Sequence, residues 1–174
     1  MKQETYKGLG VILLSMAGYF VIYNLLMFEF MEQSKTLKDA IVDAFTVSGI
    51  TIIQVRLLLI VIISLAASVI WLIDFVVYKS FCHIAGAGHI STSKILLTTL
   101  TSLLPGPLVT YFILSFHIFP MNGMAIKAVN SVIHVLALVF LFYNDMEKSS
   151  RVKFILLVVL YTVVSMLFSI GFRV

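Results

Sequence analysis

Two groups of residues in this sequence have side chains that could do chemistry. The first lies in KSFCHIAGAGHISTSK, residues 79–94, which contains a thiol, two imidazoles and two glycines: Cys82, His83, His89, Gly86 and Gly88. A phosphate-binding glycine loop follows a strand, opens a helix and has a third glycine. A zinc site uses four ligands at characteristic spacings, and this stretch offers three. We therefore favour a sharp turn over a phosphate or metal site, with a hydroxyl at 91–93 capping the next helix.

The second group is a polar stripe within the apolar stretch 124–143. Lys127, Asn130, Ser131 and His134 stand at i, i+3, i+4 and i+7, which places them on one face of a helix. Such a face is either a hydrogen-bonded seam between membrane helices or the wall of a cavity for a small polar ligand or a proton. The pattern favours the seam and keeps the cavity as the alternative.

Both groups belong to a chain that is too apolar for water. Of its residues 61% are hydrophobic and 11% charged, and its mean hydropathy is +1.11, whereas globular proteins are about 25% charged. The net charge of +4 is spread over the connecting segments, which argues against nucleic-acid binding. A single cysteine excludes an internal disulfide. We infer an integral membrane protein that contacts the lipid bilayer.

About 20 apolar residues are needed to cross a hydrocarbon core of roughly 30 Å. Five stretches qualify, and they predict an all-α, polytopic membrane helix bundle that forms a single domain over 1–174: 8–28, 57–78, 95–119, 124–143 and 154–172. The first stretch exceeds the ~7–15 apolar residues of a signal peptide, so we expect it to be retained. A capping box at Thr36 and one apolar face over 36–48 predict a short interfacial helix between the first two spans.

The lysines and arginines indicate the orientation. With the N-terminus inside, the inner segments carry seven of them and the outer segments five. Because cytoplasmic loops are enriched in positive charge, we predict a multi-pass protein of the cell membrane with a cytoplasmic N-terminus and an external C-terminus.

The third span contains Leu104-Pro105-Gly106-Pro107 near its middle. Each proline removes a backbone donor and crowds the preceding turn, so Pro105 and Pro107 predict a kink. A broken helix at a transporter site is one interpretation of these prolines, but transporters of that type have a matching break in a second repeat, and no such break occurs elsewhere in this sequence. A packing kink is therefore favoured. Asp74 is expected near the inner end of span two, at the headgroups or paired with Lys79.

Small residues at helical spacing mark two candidate helix-packing faces: Ser64 and Ser68 in span two, and Ser165 and Ser169 in span five. They suit a packed bundle, a homo-oligomer or a surface for another integral membrane protein. The sequence has no HExxH, no pair of intramembrane aspartates and no serine beside a plausible base. We therefore expect no enzyme and no cofactor.

Residues 62–114, IISLAASVIWLIDFVVYKSFCHIAGAGHISTSKILLTTLTSLLPGPLVTYFIL, resemble the Yip1-domain family of small five-span membrane proteins. The resemblance lies in a glycine-containing loop after span two, then Ser and Lys, then a proline-interrupted helix: Gly86, Gly88, Ser93, Lys94 and Pro105. The DLYGP-like element and the Gly-Tyr pair of better-known members are missing, with Thr101-Ser102 where the pair would fall. The resemblance implies five spans, a cytoplasmic N-terminus and, for a bacterial-type member, an accessory role in membrane transport.

The sequence thus predicts a non-enzymatic scaffold or accessory partner of a membrane transport or envelope complex, acting through helix–helix contacts. The alternative is a small transporter or substrate-capturing membrane subunit. It would use the stripe from Lys127 to His134 opposite the broken third span.

Overall fold

The chain is an all-helical membrane bundle. The computed structural model describes residues 2–34, 39, 40, 43, 51–118 and 122–171, without the side chains at 2–9, 52 and 169–171. Within these residues no strand occurs, and the helices are α1 (Lys2–Gln33), α2 (Ile52–Ile84), α3 (Thr92–Ser102), α4 (Pro105–Ser115), α5 (Gly123–Phe142) and α6 (Lys148–Gly171). The interfacial helix predicted over 36–48 lies outside the described residues, apart from Asp39, Ala40 and Asp43.

Five helical segments of the described residues are long and apolar enough to cross a membrane: Gly10–Gln33, Ile53–Ile84, Thr92–Ser115, Gly123–Phe142 and Lys148–Phe168. The third of these comprises α3 and α4. The predicted all-α bundle with five spans is confirmed, and the chain has the organisation of a multi-pass membrane protein.

The second span is longer at both ends than its apolar core of 57–78 predicts. At its start, the Thr51 hydroxyl accepts a hydrogen bond from the Gln54 backbone amide (3.4 Å), and Gln54 Oε1 accepts one from the Thr51 amide (2.9 Å). This capping box satisfies amides that a helix start leaves free, so α2 begins at Ile52.

The far end of α2 is a Schellman turn, as the predicted reversal at the glycines requires. The Ala87 amide donates to the Cys82 carbonyl (2.8 Å) and the Gly86 amide to the His83 carbonyl (3.1 Å). Gly86 has a φ of 84°, a left-handed conformation that glycine adopts without steric cost. After this turn the Ser91 hydroxyl accepts from the Lys94 amide and caps α3.

The third span occupies the centre of the bundle. In the most apolar part of that span 44% of the residues are buried, against 11–17% in the other four spans. Helix α3 packs against α1, α2 and α5, while α1, α2, α6 and α5 pack in that order around it. The outer faces of the surrounding helices expose apolar side chains such as Leu14, Leu65, Phe140 and Leu156, as contact with lipid requires.

The prolines divide the third span into two helices. Helix α3 ends at Ser102 and α4 begins at Pro105. In the intervening turn the Leu103 amide donates to the Leu100 carbonyl and the Leu104 amide to the Thr101 carbonyl, both at 3.3 Å. These i to i+3 bonds give the Leu100 and Thr101 carbonyls a partner where Pro105 has no amide hydrogen to donate.

Helix α4 lies unusually close to α5 at Gly106. A Cβ atom on Gly106 would lie 3.0 Å from both Cα and the carbonyl oxygen of Asn130. One turn later, Thr110 Oγ1 is 2.5 Å from Asn130 Oδ1 and 3.0 Å from the Gly106 carbonyl oxygen. The contact therefore combines a missing side chain with a hydrogen bond, and it fixes the position of Asn130.

Replacing Gly106 by alanine should push α4 away from α5. We expect Gly106→Ala to lower the stability of the bundle by about 1–3 kcal/mol, because the added methyl meets backbone rather than a flexible side chain. Gly10→Ala is the matched control, since a Cβ added there would have nothing within 4 Å and alanine favours helix by about 0.5–1 kcal/mol. Thermal unfolding in a non-ionic detergent measures both, and a Gly106→Ala midpoint at or above the parent's would contradict the close contact.

Candidate functional site

The predicted polar stripe faces a cavity inside the bundle. Lys127, Asn130, Ser131 and His134 all line this cavity, which has a volume of about 570 Å³. Its other walls come from α1, α2 and α6, and residues at the break of the third span close one side. The volume falls within the roughly 300–1,000 Å³ of small-molecule sites.

The cavity lies where the third span leaves the centre of the bundle. Helix α3 packs against α2, but the main packing partners of α4 are α1 and α5. Leu103 and Pro107, on either side of the break, both line the cavity. The shift of α4 toward α1 and α5 therefore leaves the space that α2 and α6 border.

His134 forms the deep end of the stripe. Its Nε2 is 2.8 Å from the hydroxyl of Tyr78, the two ring centroids are 5.6 Å apart, and only 9% of the residue is exposed. Its Nδ1 is buried near the backbone of Ser102, without a hydrogen bond of good geometry among the described residues. Tyr78 is in turn in edge contact with Tyr161 (centroids 6.1 Å apart, 85° between planes). Rings from α2, α5 and α6 thus meet at this point.

Asp74 is a residue of this site that the sequence prediction misplaced. The prediction put it at the headgroups or paired with Lys79, because the apolar stretch ends at residue 78. Helix α2 instead continues to Ile84, so Asp74 lies inside the bundle with 9% exposure and lines the cavity. Its Oδ1 accepts a hydrogen bond from the Tyr161 hydroxyl at 3.0 Å. Its i, i+4 spacing to Tyr78 on one helical face was the available signal.

Lys127 lines the cavity nearer the start of α5. Its Nζ donates a hydrogen bond to the Ser165 carbonyl at 3.2 Å. Ser165, predicted as part of a packing face, also lines the cavity, whereas the side chain of Ser169 lies outside the described residues. Asn130 Oδ1 accepts a hydrogen bond from Thr110 Oγ1, and Asn130 also lines the cavity.

The small-residue face of span two is covered within the chain. The Ser64 hydroxyl accepts a hydrogen bond from Asn24 Nδ2 on α1 at 3.0 Å, and Ser68 Oγ donates to the Ser64 carbonyl at 2.8 Å. Ala67, between them, is fully buried in a cluster with Tyr19. This face therefore joins α1 to α2, and Ser64 and Ser68 are left partly exposed.

The cysteine and histidines of the loop do not converge. Cys82 is 1% exposed and belongs to an apolar cluster, while His83 and His89 are exposed. His89 Nε2 lies 3.2 Å from the carbonyl of Asp145, whose carboxylate forms an ion pair with Lys94. Among the described residues no three His, Cys, Asp or Glu side chains group as metal ligands. The loop thus closes one end of the bundle against the α5–α6 connection.

Comparisons with protein-family models, with curated proteins and with solved structures gave no match to this chain. The resemblance to the Yip1-domain family therefore stays a prediction. The cavity and the residues that line it are therefore the features of this chain that bear on its function.

Removing the Tyr78 hydroxyl should destabilise the bundle from inside the cavity. Tyr78→Phe leaves buried His134 without its Nε2 partner, which costs about 1–3 kcal/mol and lowers the thermal midpoint by several degrees. Tyr143→Phe is the control, because that residue is 52% exposed. Equal midpoints for the two variants in detergent would show that the Tyr78–His134 pair does not contribute.

Proposed function

We propose that this chain is a membrane-embedded binding protein that holds a small molecule in its central cavity, as a small transporter or as the substrate-capturing subunit of a transport system. The observation that supports this most directly is the convergence of Lys127, Asn130, Ser131 and His134 on one cavity with Asp74. Ionisable groups at membrane depth are costly, and they mark substrate or proton pathways more often than structural positions.

The shape of the site favours a cavity over a simple helix seam. In a seam, side chains of the neighbouring helices would hydrogen-bond to the stripe and fill the space beside it. Here about 570 Å³ remains beside the stripe, and polar groups from α2 and α6 reach the same space. A small ligand could therefore be contacted from several helices at once, as in other binding sites between membrane helices.

An accessory role in a membrane transport or envelope complex is compatible with capture of a ligand. Helix α1 already contacts the Ser64–Ser68 face, so a partner could bind only the part of that face that stays exposed. A homo-oligomer would face the same restriction. We assign no catalytic step to the chain.

The proposed orientation places the cavity toward the outside. The excess of lysine and arginine on the N-terminal side supports a cytoplasmic N-terminus in the cell membrane. The cavity extends from the middle of the bundle toward Phe30, Gly123 and Lys127. These residues lie at the end of the bundle opposite to the N-terminus of α1. A membrane-impermeant reagent should therefore enter it from the external face, and entry from the cytoplasmic face alone would reverse the orientation.

The test is native mass spectrometry of protein purified from its own membranes in a mild detergent. We expect the parent to carry a bound small molecule, and Lys127→Met to reduce its occupancy at least ~10-fold, because a buried charged contact is worth more than about 1.4 kcal/mol. Lys153→Met, at an exposed position of α6, should retain the molecule. An empty cavity in the parent, together with a protein partner at near-equal stoichiometry, would reject this proposal in favour of a scaffold.

A further inference from the structure

We propose that the ligand of the central cavity carries an ammonium group, which Asp74 binds among the tyrosine rings around it. This inference rests on the proposed function and names the chemical class of its ligand. Three features of the cavity wall support it: one buried carboxylate, four tyrosines and a lysine on α5.

Asp74 supplies the negative charge. It is the acidic residue among those that line the cavity, and its contact through Oδ1 is a neutral one, with the Tyr161 hydroxyl. Within the described residues, no side-chain cation lies within 4.0 Å of the Asp74 carboxylate. Burying a carboxylate is costly unless a positive group accompanies it, and an ammonium ligand would provide that group.

The aromatic residues supply a second, independent feature. Tyr19, Tyr23, Tyr78 and Tyr161 all line the cavity, and three of them, Tyr19, Tyr78 and Tyr161, lie near Asp74. Their rings are held by one another, with centroids 5.7 Å apart for Tyr19–Tyr23 and 6.1 Å for Tyr78–Tyr161. Ring faces attract an ammonium group that lies within about 6 Å of the ring centre, and proteins bind ammonium ligands among several aromatic rings.

Lys127 restricts which ammonium compounds fit. Its Nζ bonds to the carbonyl of Ser165, which lies about one helical turn after Tyr161, the residue that donates a hydrogen bond to Asp74. A cation with no acceptor group would be repelled by this lysine. A molecule that joins an ammonium to an oxygen-bearing or anionic group can contact both residues. Soluble amines with an oxygen acceptor and zwitterionic phospholipid headgroups share this chemistry.

The experiment compares pairs of probes in which one member carries an ammonium group and the other carries hydroxyl groups in its place. Detergent-purified protein is heated with ethanolamine or with ethylene glycol at matched pH and chloride, and in mixed micelles with phosphatidylethanolamine or phosphatidylglycerol. We expect an ammonium probe to raise the unfolding midpoint by about 2–4 °C over its partner at saturation. Because a four-heavy-atom ligand binds weakly, the soluble pair is titrated to tens of millimolar. A response to ethanolamine identifies a soluble amine, and a response to the lipid alone identifies a headgroup.

Two variants connect the response to the carboxylate. Asp74→Asn keeps the size of the side chain and removes its charge, so the concentration of probe that gives half the shift should rise at least ~10-fold. Asp145→Asn removes a charge outside the cavity and should keep the parent response. If Asp74→Asn does not fold, Tyr161→Leu serves as the fallback variant: it keeps the carboxylate and removes a ring beside it, so the concentration of probe that gives half the shift should rise by about threefold or more, and an unchanged value would contradict the aromatic contribution.

Failure of this inference is distinct from failure of the proposed function. Equal shifts with the ammonium and glycol partners, or an Asp74→Asn response equal to the parent's, would overturn the ammonium assignment. If a small molecule still co-purified and depended on Lys127, the cavity would remain a binding site for another class of ligand. If no molecule co-purified either, both proposals would be wrong.

Discussion

The bundle depends on a constraint that two prolines impose on its central span. Without amide hydrogens at 105 and 107, the chain cannot continue α3 as one straight helix, and within a bilayer no water replaces the missing bonds. The turn at Leu103 and Leu104 recovers hydrogen bonds with shorter spacing. It also redirects the chain, so that α4 packs on α1 and α5 instead of filling the centre. The cavity is the space that this redirection leaves.

That space explains why polar residues are tolerated so deep in the membrane. Gly106 brings α4 against the backbone of α5, and Thr110 holds Asn130 in place. On the opposite wall, α2 and α6 contribute Asp74 and Tyr161, which bond to each other. Each group therefore has a fixed position before any ligand arrives, and such preorganisation lowers the cost of binding.

The features that local chemistry determines were predictable from the sequence. Span count follows from apolar length, the break from Pro105 and Pro107, and the shared face of Lys127 and His134 from the helical repeat. The ends of the helices could not be predicted in this way, because the backbone hydrogen bonds of α2 continue beyond its apolar residues to the turn at Gly86.

Contacts between distant segments were beyond the sequence patterns. The hydrogen-bonded residues Asp74 and Tyr161 are 87 positions apart in the sequence, and Ser64 and Asn24 are 40 positions apart. A pattern on one helix shows which residues share a face, but not which helix covers it. For this reason the sequence left open whether Ser64 packs within the bundle or faces a partner protein, and the tyrosines of α1 were not recognised as cavity residues.

Water access to the polar stripe tests the central claim most directly. Cys82 is the single cysteine and is 1% exposed, so Cys82→Ala gives a cysteine-free background. In that background Ser131→Cys faces the cavity, whereas Leu136→Cys on the same helix is at a position 64% exposed on the bundle surface, where lipid covers it. We predict that a charged, membrane-impermeant thiol reagent added to the outside of cells modifies Ser131→Cys and not Leu136→Cys. Equal protection of both thiols from either side of the membrane would mean that the stripe is a closed seam, and the account of a binding cavity would be wrong.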